Sequence, residues 1–557
     1  MQLRQNNLRK LPERVFDALI VGGGINGAAA AAALSGKGAR VALIDRGDFA
    51  GSTSMHSSNL VWGGIKYMES GDFALVRKLC KSRNHLIESY PSTVQEIRFL
   101  TTINRGFRHH PLYPWAGTWL YWLMGGAFTR RPHFLRPAGI KAREPIIDTA
   151  KAQGGFEYSD AYLHDNDARF VFNFVRGALD FGTVAANYVE SLGARREGEL
   201  WVTRMRDRMD GRTFEVRSKV LINAAGPWVD QHNSLSGQQT DHRHVFSKGI
   251  HLIVPRLTDS RRVLAFFADD GRLFFVIPMG PRTCIGTTDT RVEKPEVGAT
   301  EDDIRFVLDN INTRLALETP LCKADIIATR CGVRPLAVKP SGGDDRDFLN
   351  LSRKHAIDID PEMRHLSIFG GKLTDCLNVG EEVVEEVARL GVAIPYPKVR
   401  WYGEPDASLR EAFLHQARLM DLDAMTAEGA SEPLSTRLWR RYGAQALEML
   451  EEIRQDPRQG EVLIEHTEYL RCELKQARRR EMVTKLEDFL RRRSKISLVV
   501  PEQTIRDSPG LREACDILFD EQAEARLAEY LASASPESAG LASEGESGEG
   551  PKPQRGW

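Results

Sequence analysis

The sequence has few cysteines, no net charge and no long apolar run, and each shortage removes a class of protein. Its seven cysteines (Cys80, Cys284, Cys322, Cys331, Cys376, Cys472, Cys515) are scattered over 557 residues. None forms a C-x-x-C pair or lies beside a histidine at ligand spacing, which argues against zinc, iron-sulfur and disulfide frameworks and leaves no metal site to expect. Lysine plus arginine and aspartate plus glutamate number 76 each, so no overall field exists to hold nucleic acid, and a charged partner must be met by a local patch. No apolar stretch approaches the roughly 18 residues that a membrane-spanning helix needs. The N-terminal MQLRQNNLRKLPERVF is polar and basic, without the apolar core or cleavage site of an export signal. A cytoplasmic protein is therefore expected, with any membrane contact peripheral and on the inner face of the cytoplasmic membrane. No internal repeat is visible.

What is present is a chain long enough, at 42% hydrophobic composition, to bury a large core in two or three domains. The run VFDALIV (15–21) opens into glycines, Ile25 to Leu34 is alanine-rich, and RVALI (40–44) follows Gly36 and Gly38. That order predicts strand, glycine turn, helix, strand, one βαβ unit of a Rossmann-like α/β domain. Strand-like pieces at 200–206, 213–216, 220–224, 251–254, 273–277 and 283–286 predict a largely antiparallel β-sheet inserted into it. From about residue 406, Leu438, Tyr442, Ala446, Met449 and Ile453 recur at helical spacing and predict a separate C-terminal all-α domain. Residues 532–557, rich in Ser, Gly, Glu and Pro, are expected to form a disordered tail.

Gly22, Gly24 and Gly27 in GGGING form G-x-G-x-x-G between the predicted strand and helix. The three glycines permit a tight turn, close approach of backbone to a pyrophosphate, and close packing of helix on strand. The phosphates then meet the helix start at Ile25 and Asn26, where free N–H groups and the positive dipole end stabilise anions. Asp45 lies 18 residues after Gly27, where a carboxylate can accept both ribose hydroxyls, and Arg46 follows it. Three segments favour FAD over NAD. GSTSMHSSNLVWGGIK (51–66) carries Thr53, Ser54, Ser57, Ser58, Leu60 and the Gly63–Gly64 pair, suited to wrapping a buried cofactor. LINAAGPWVD (221–230) brings Ala225, Gly226 and Trp228 over the adenosine and pyrophosphate. Gly371, Lys372, Leu373 and Thr374 should start a late helix whose N–H groups face the ring edge that becomes anionic on reduction.

At these residues the chain resembles the FAD-dependent glycerol-3-phosphate dehydrogenase/oxidase family, within the wider group of flavoproteins that share a D-amino-acid-oxidase-like fold. VGGGINGAAAA, SSNLVWGGIKYME, GFEYSD with DARFV, NAAGPWV, SKGIHLIVP, FFVIPMG with IGTTDT, GVRPL and FGGKLT occur in the family's order. The resemblance implies an oxidoreductase domain over 1–400, with FAD-binding segments at about 16–100, 165–240 and 325–395 and a substrate domain at about 100–164 and 241–324. A helical domain follows at 406–531. It further implies oxidation of sn-glycerol 3-phosphate to dihydroxyacetone phosphate, with electrons passed to quinone or another acceptor. His251 matches the family base, Arg334 and Lys372 match positions near the substrate phosphate, and Lys66 and Tyr67 adjoin them in WGGIKY.

The chain also departs from that pattern. Where the family usually reads HGGLRY, Trp62 and Lys66 replace a histidine and an arginine; Asp375, Cys376 and Leu377 follow FGGKLT in place of Thr-Tyr-Arg. A carboxylate at 375 repels a phosphate unless it is paired or turned away. The alternatives are an amine or 2-hydroxy-acid oxidase on the same fold and a non-catalytic flavoprotein. HHPLYPWAGTWLYWLMGGAFTRR (109–131) places aromatics between basic ends, which reads either as a helix covering the substrate domain or as a lipid contact. Arg478 to Arg480 and Arg491 to Arg493 read as a solvated face paired with Glu473, Glu481 and Glu487, or as a second basic patch. Oligomeric state is open, a homo-oligomer included.

Overall fold

The structure, a computed structural model, describes residues 2–268, 272–339 and 354–533; the expected disordered tail lies, from residue 534, outside the described residues. The strand Val15–Val21 is buried at six of its seven positions and Val41–Ile44 at all four. Strands buried on both faces form parallel sheets, and here the parallel core runs His365–Phe369, Thr213–Asn223, Val15–Val21, Val41–Ile44, Val184–Ala186. The helix Ile25–Gly36 lies between helices Asp167–Asp180 and Cys376–Arg389. Its Ala28 to Ala33 are wholly buried, and methyl side chains let three helices crowd one face of the sheet.

Three of the pieces expected in the inserted sheet, 200–206, 213–216 and 220–224, belong to this first sheet. Residues 213–216 and 220–224 fall on one strand, Thr213–Asn223, whose first half pairs antiparallel with Leu200–Asp207 and whose second half enters the parallel core. The burial pattern changes along it from alternating to continuous, and the alternating half hid the join. The second sheet has ten strands among the described residues, mostly antiparallel, and pairs Arg243–Pro255 with Ala328–Val338 and Val94–Asn104 with Ala152–Leu163. Ala328–Val338, within the FAD-binding segment expected at 325–395, thus pairs in this second sheet. The polar N-terminus is a helix, Gln2–Glu13, docked by a buried Arg4–Asp207 ion pair at 2.7 Å.

The five residues at helical spacing from Leu438 to Ile453 are all buried, but on two helices, Leu434–Tyr442 and Ala446–Gln455, broken at Gly443 with φ +54°. The helical region is not a detached unit. One hydrophobic cluster runs from Val76, Ile97 and Phe275 into Leu486, Phe489 and Leu490. Among the described residues no helix is long and apolar enough to cross a membrane.

Candidate active site

At the end of Val15–Val21, Gly22 takes φ +108°, and a Cβ there would lie 2.4 Å from Ala224 O; at Gly27 a Cβ would lie 1.8 Å from Gly22 O. Only glycine fits either position. Gly24 caps the helix Ile25–Gly36 with no side-chain cap bond, so the helix start opens on a cavity of about 240 Å³ lined by Gly22, Gly24, Asp45, Arg46, Ala225, Gly226 and Trp228. Asp45 accepts hydrogen bonds from Gly23 N–H (2.7 Å) and Gly47 N–H (2.8 Å). Burial nevertheless pushes its acid up to about 6, a carboxylate that would gain from further hydroxyl donors. The Arg46 guanidinium lies 3.6 Å from the Trp228 ring centroid, a flat pair suited to a planar base. Asn26 points elsewhere: its Nδ2 donates to Gly370 O at 3.0 Å, tying the helix start to the FGGKLT turn.

Thr53 also lines a second, adjoining cavity of about 610 Å³, with Ile25, Ser57, Ser58, Leu60 and Trp62. Lys66, Tyr67, Arg334 and Gly371 to Thr374 complete much of its wall, so four chain segments far apart in sequence meet here. Gly370 and Gly371 have φ of +61° and +104° and turn the chain from the strand His365–Phe369 into the helical segment from Leu373. The Lys372 ammonium sits 4.2 Å from the Tyr67 ring and 5.6 Å from the Trp62 ring, within cation–π range. Arg334 donates to Thr287 Oγ1 (2.9 Å) and Thr288 O (3.3 Å), with the Asp289 carboxylate at 3.7 Å.

Gly63 and Gly64 lie apart from both cavities. A Cβ on Gly63 would meet Tyr121 Oη at 2.2 Å, and Gly64 takes φ +80° to begin the turn Ile65–Met68. They shape the wall that carries Lys66 and Tyr67. Asp375 is turned away and paired: His355 Nδ1 is 2.8 Å from it, Asn378 donates to it, and His355 Nε2 bonds Glu382 at 2.7 Å. The hydrogen bonds to His355 and Asn378 hold the Asp375 acid below its ordinary value against burial, and its charge is met by His355 instead of facing the larger cavity.

His251 is not among the residues facing the larger cavity; its Nε2 lies 3.0 Å from Ser58 Oγ, and Ser58 does face it. Burial, with Arg330 and Arg334 nearby, holds its imidazole well below the usual range, hence neutral. A second imidazole, His56, lines the cavity itself and is also kept neutral, by burial and by Arg491 and Arg330. Sequence reasoning passed over His56, Arg108, Arg272 and Asp289, which line the same cavity. His56 stood inside a nominated segment, GSTSMHSSN, and was the one titratable group there. Asp289 stood inside the quoted IGTTDT segment, whereas Arg108 and Arg272 carry no local signal.

A glycine turn at a helix start, a buried acid beyond it, and two adjoining cavities with cations round the larger define an FAD-binding oxidoreductase fold and site. A family profile described as FAD dependent oxidoreductase matches residues 17–357, and one described as the C-terminal domain of alpha-glycerophosphate oxidase matches 403–517. Glycerol-3-phosphate dehydrogenase 2 of Mycobacterium bovis is 31% identical over 89% of this chain and 84% of its own length. Glycerol-3-phosphate dehydrogenase of Pseudomonas aeruginosa is 31% identical over 88% and 94%. The fold of the glycerol-3-phosphate dehydrogenase of Bacillus halodurans, solved in complex with FAD, superposes with a TM-score of 0.72 at 24% identity over 97% of this chain and 98% of that one. The chain belongs to the FAD dependent oxidoreductase family, and within it to the glycerol-3-phosphate dehydrogenases.

Proposed function

We propose that this chain oxidises sn-glycerol 3-phosphate to dihydroxyacetone phosphate and delivers the electrons to a membrane quinone. The observation that carries the substrate is the gathering of Lys66, Arg334 and Lys372, with Arg108 and Arg272, round one cavity. A phosphate dianion needs several cations, whereas a carboxylate is satisfied by one guanidinium fork. FAD, when bound, supplies the acceptor for the hydride that leaves carbon 2. The GGGING turn, Asp45, Arg46 and Trp228 would hold its adenosine diphosphate end, and Gly371 to Thr374 would meet its ring. Lys66 gives the phosphate a point charge where the family has a guanidinium, so the planar forks at the cavity wall are those of Arg334, Arg108 and Arg272.

The proton of the substrate hydroxyl passes to Ser58 Oγ as Ser58 hands its own to His251 Nε2, 3.0 Å away. Neutral His251 is able to accept it. His56, on the wall itself, favours a second route in which it takes the proton directly. The pH dependence of kcat in His56→Gln and His251→Asn separates the two, since only the variant of the acceptor loses the rise with pH. The substrate is tested by anaerobic flavin bleaching. Glycerol 3-phosphate is expected to bleach the flavin, while glycerol, amino acids and 2-hydroxy acids leave it oxidised; bleaching by an amino or hydroxy acid alone refutes the assignment.

For the acceptor, the helix Leu112–Met124 contains no charged residue and exposes Leu112, Tyr113, Leu120 and Leu123, with Phe128 just beyond. Arg108, Arg130 and Arg131 flank it, and exposed Arg108 also lines the larger cavity. An apolar face between cations suits the headgroup boundary of an anionic bilayer, and it would set the cavity mouth beside the lipid. Flotation with anionic liposomes tests this: the protein is expected to rise with the vesicles, and Leu120→Glu with Leu123→Glu to stay behind.

A further inference from the structure

The arginines that the sequence offers as a surface cluster divide into two groups. Arg478, Arg479 and Arg480 pair with Asp520, Glu452 and Glu448 at the surface. Arg491, Arg492 and Arg493, on the turn Asp488–Arg493, are buried, with 0%, 4% and 0% of their surface exposed. They reach across to the segment that follows Asp45. Arg493 forks the Asp48 carboxylate at 2.7 and 2.8 Å, while its guanidinium lies 3.9 Å from the Phe172 ring centroid. Arg492 Nε donates to the same carboxylate at 2.8 Å, and its Nη2 to Asp488 at 2.6 Å. Arg491 donates to Met55 O.

The grasped segment touches both cavities. Asp48 lines the smaller one, and Met55 is followed by His56, Ser57 and Ser58 of the larger. Between them Phe49 packs so closely on the nucleotide turn that a Cβ on Gly23 would lie 2.4 Å from its ring, and Ala50 N–H donates to Gly23 O at 3.0 Å. Buried ion pairs of this kind return little net stability, because desolvation of the charges offsets their attraction. What two guanidinia on one carboxylate do fix is position.

We propose that the C-terminal helical region acts as a clamp on the cofactor segment, with Arg493 and Asp48 as positioning residues that hold 46–58 in the shape that retains FAD. This rests on the FAD-binding role of the two cavities. The experiment measures FAD affinity by flavin fluorescence on reconstitution, and turnover with and without added FAD, in the full chain. Arg493→Lys keeps the charge and loses the fork; Asp48→Asn removes the carboxylate charge. Each is expected to bind FAD at least about tenfold more weakly, the scale of one charged hydrogen bond, while the KM for glycerol 3-phosphate stays put and excess FAD restores kcat. Arg479→Met, on the exposed face, is the control and should bind FAD as the parent does. If both variants retain FAD within about twofold of the parent, the range of neutral surface changes, or lose kcat that excess FAD does not restore, the clamp is wrong although the flavoenzyme reading stands. A parent chain that cannot take up FAD sinks both.

Discussion

Replacing Gly249 by alanine tests the phosphate role of Arg334 without touching its charge. Gly249 lies on the strand Arg243–Pro255, opposite the arginine's own strand, and an added Cβ would lie 2.3 Å from Arg334 Nη2 and 2.6 Å from its Cζ. Ordinary contact is nearer 3.5 Å, so the guanidinium must retreat by about 1 Å. Because the obstructed atoms are the far end of a flexible side chain, the strand itself has no reason to move. The retreat disrupts the bonds to Thr287 at 2.9 Å and Thr288 at 3.3 Å that aim the fork into the cavity. If that fork grips the substrate phosphate, most of a charged hydrogen bond is lost, about 1.5–3 kcal/mol, which corresponds to roughly 10- to 150-fold in kcat/KM. The assay is steady-state reduction of a dye acceptor by glycerol 3-phosphate, normalised to bound flavin, with Arg334→Met alongside. The loss should fall mainly on KM if the grip is uniform and on kcat if it tightens in the transition state. A Gly249→Ala enzyme with kcat/KM within about twofold of the parent refutes the assignment of Arg334 to the phosphate.

Other expectations follow from the same geometry. Gly27→Ala should give a protein without bound flavin, because its methyl would sit 1.8 Å from Gly22 O; a yellow preparation contradicts this. Asp45, whose acid is raised to about 6, must ionise to accept ribose hydroxyls best. FAD affinity of the apoprotein should therefore weaken as pH falls through about 6, and Asp45→Asn should bind more weakly with that dependence abolished. His355, raised above its ordinary value by Asp375 and Glu382 against burial, contributes stability that is full below its unfolded pKa of about 6.5 and is lost as pH rises through the displaced value. The Tm difference between parent and His355→Gln should accordingly be largest at acid pH and shrink toward alkaline pH; a constant difference overturns the bridge.

The parts of the site that depend on neighbours in sequence were legible. Gly22, Gly27 and Asp45 act within one βαβ unit, and Gly371 to Thr374 within one turn, so local pattern and backbone chemistry identify them. Contacts between distant segments were not. Nothing near Ser58 announces that His251 lies behind it, and nothing near Lys372 announces the Tyr67 ring 4.2 Å away. The misread elements share one cause. Arg491 to Arg493 look solvent-facing because the nearby carboxylates Glu487 and Asp488 meet only Arg492; Asp48, more than 400 residues earlier, supplies the charge that meets Arg493. The strand Thr213–Asn223 was split because it serves two different partners, and a single strand with two burial patterns resembles two strands.

The order of the parallel sheet bears on how the polypeptide is made. Val15–Val21 sits beside Thr213–Asn223, Val15 opposite Arg217, and that strand sits beside His365–Phe369. Val41–Ile44 follows the first strand almost at once, but at a ribosomal rate of about 5–20 residues per second that first strand waits roughly ten to forty seconds for its neighbour on the other side and longer for the sheet to close. Throughout that interval the nascent chain presents an unpaired strand edge, and the side of the alanine-lined helix that meets Cys376–Arg389 has nothing to cover it. A chaperone that binds such surfaces, or slower growth temperature during overproduction, should raise the yield of intact enzyme more than any change to the mature molecule's surface.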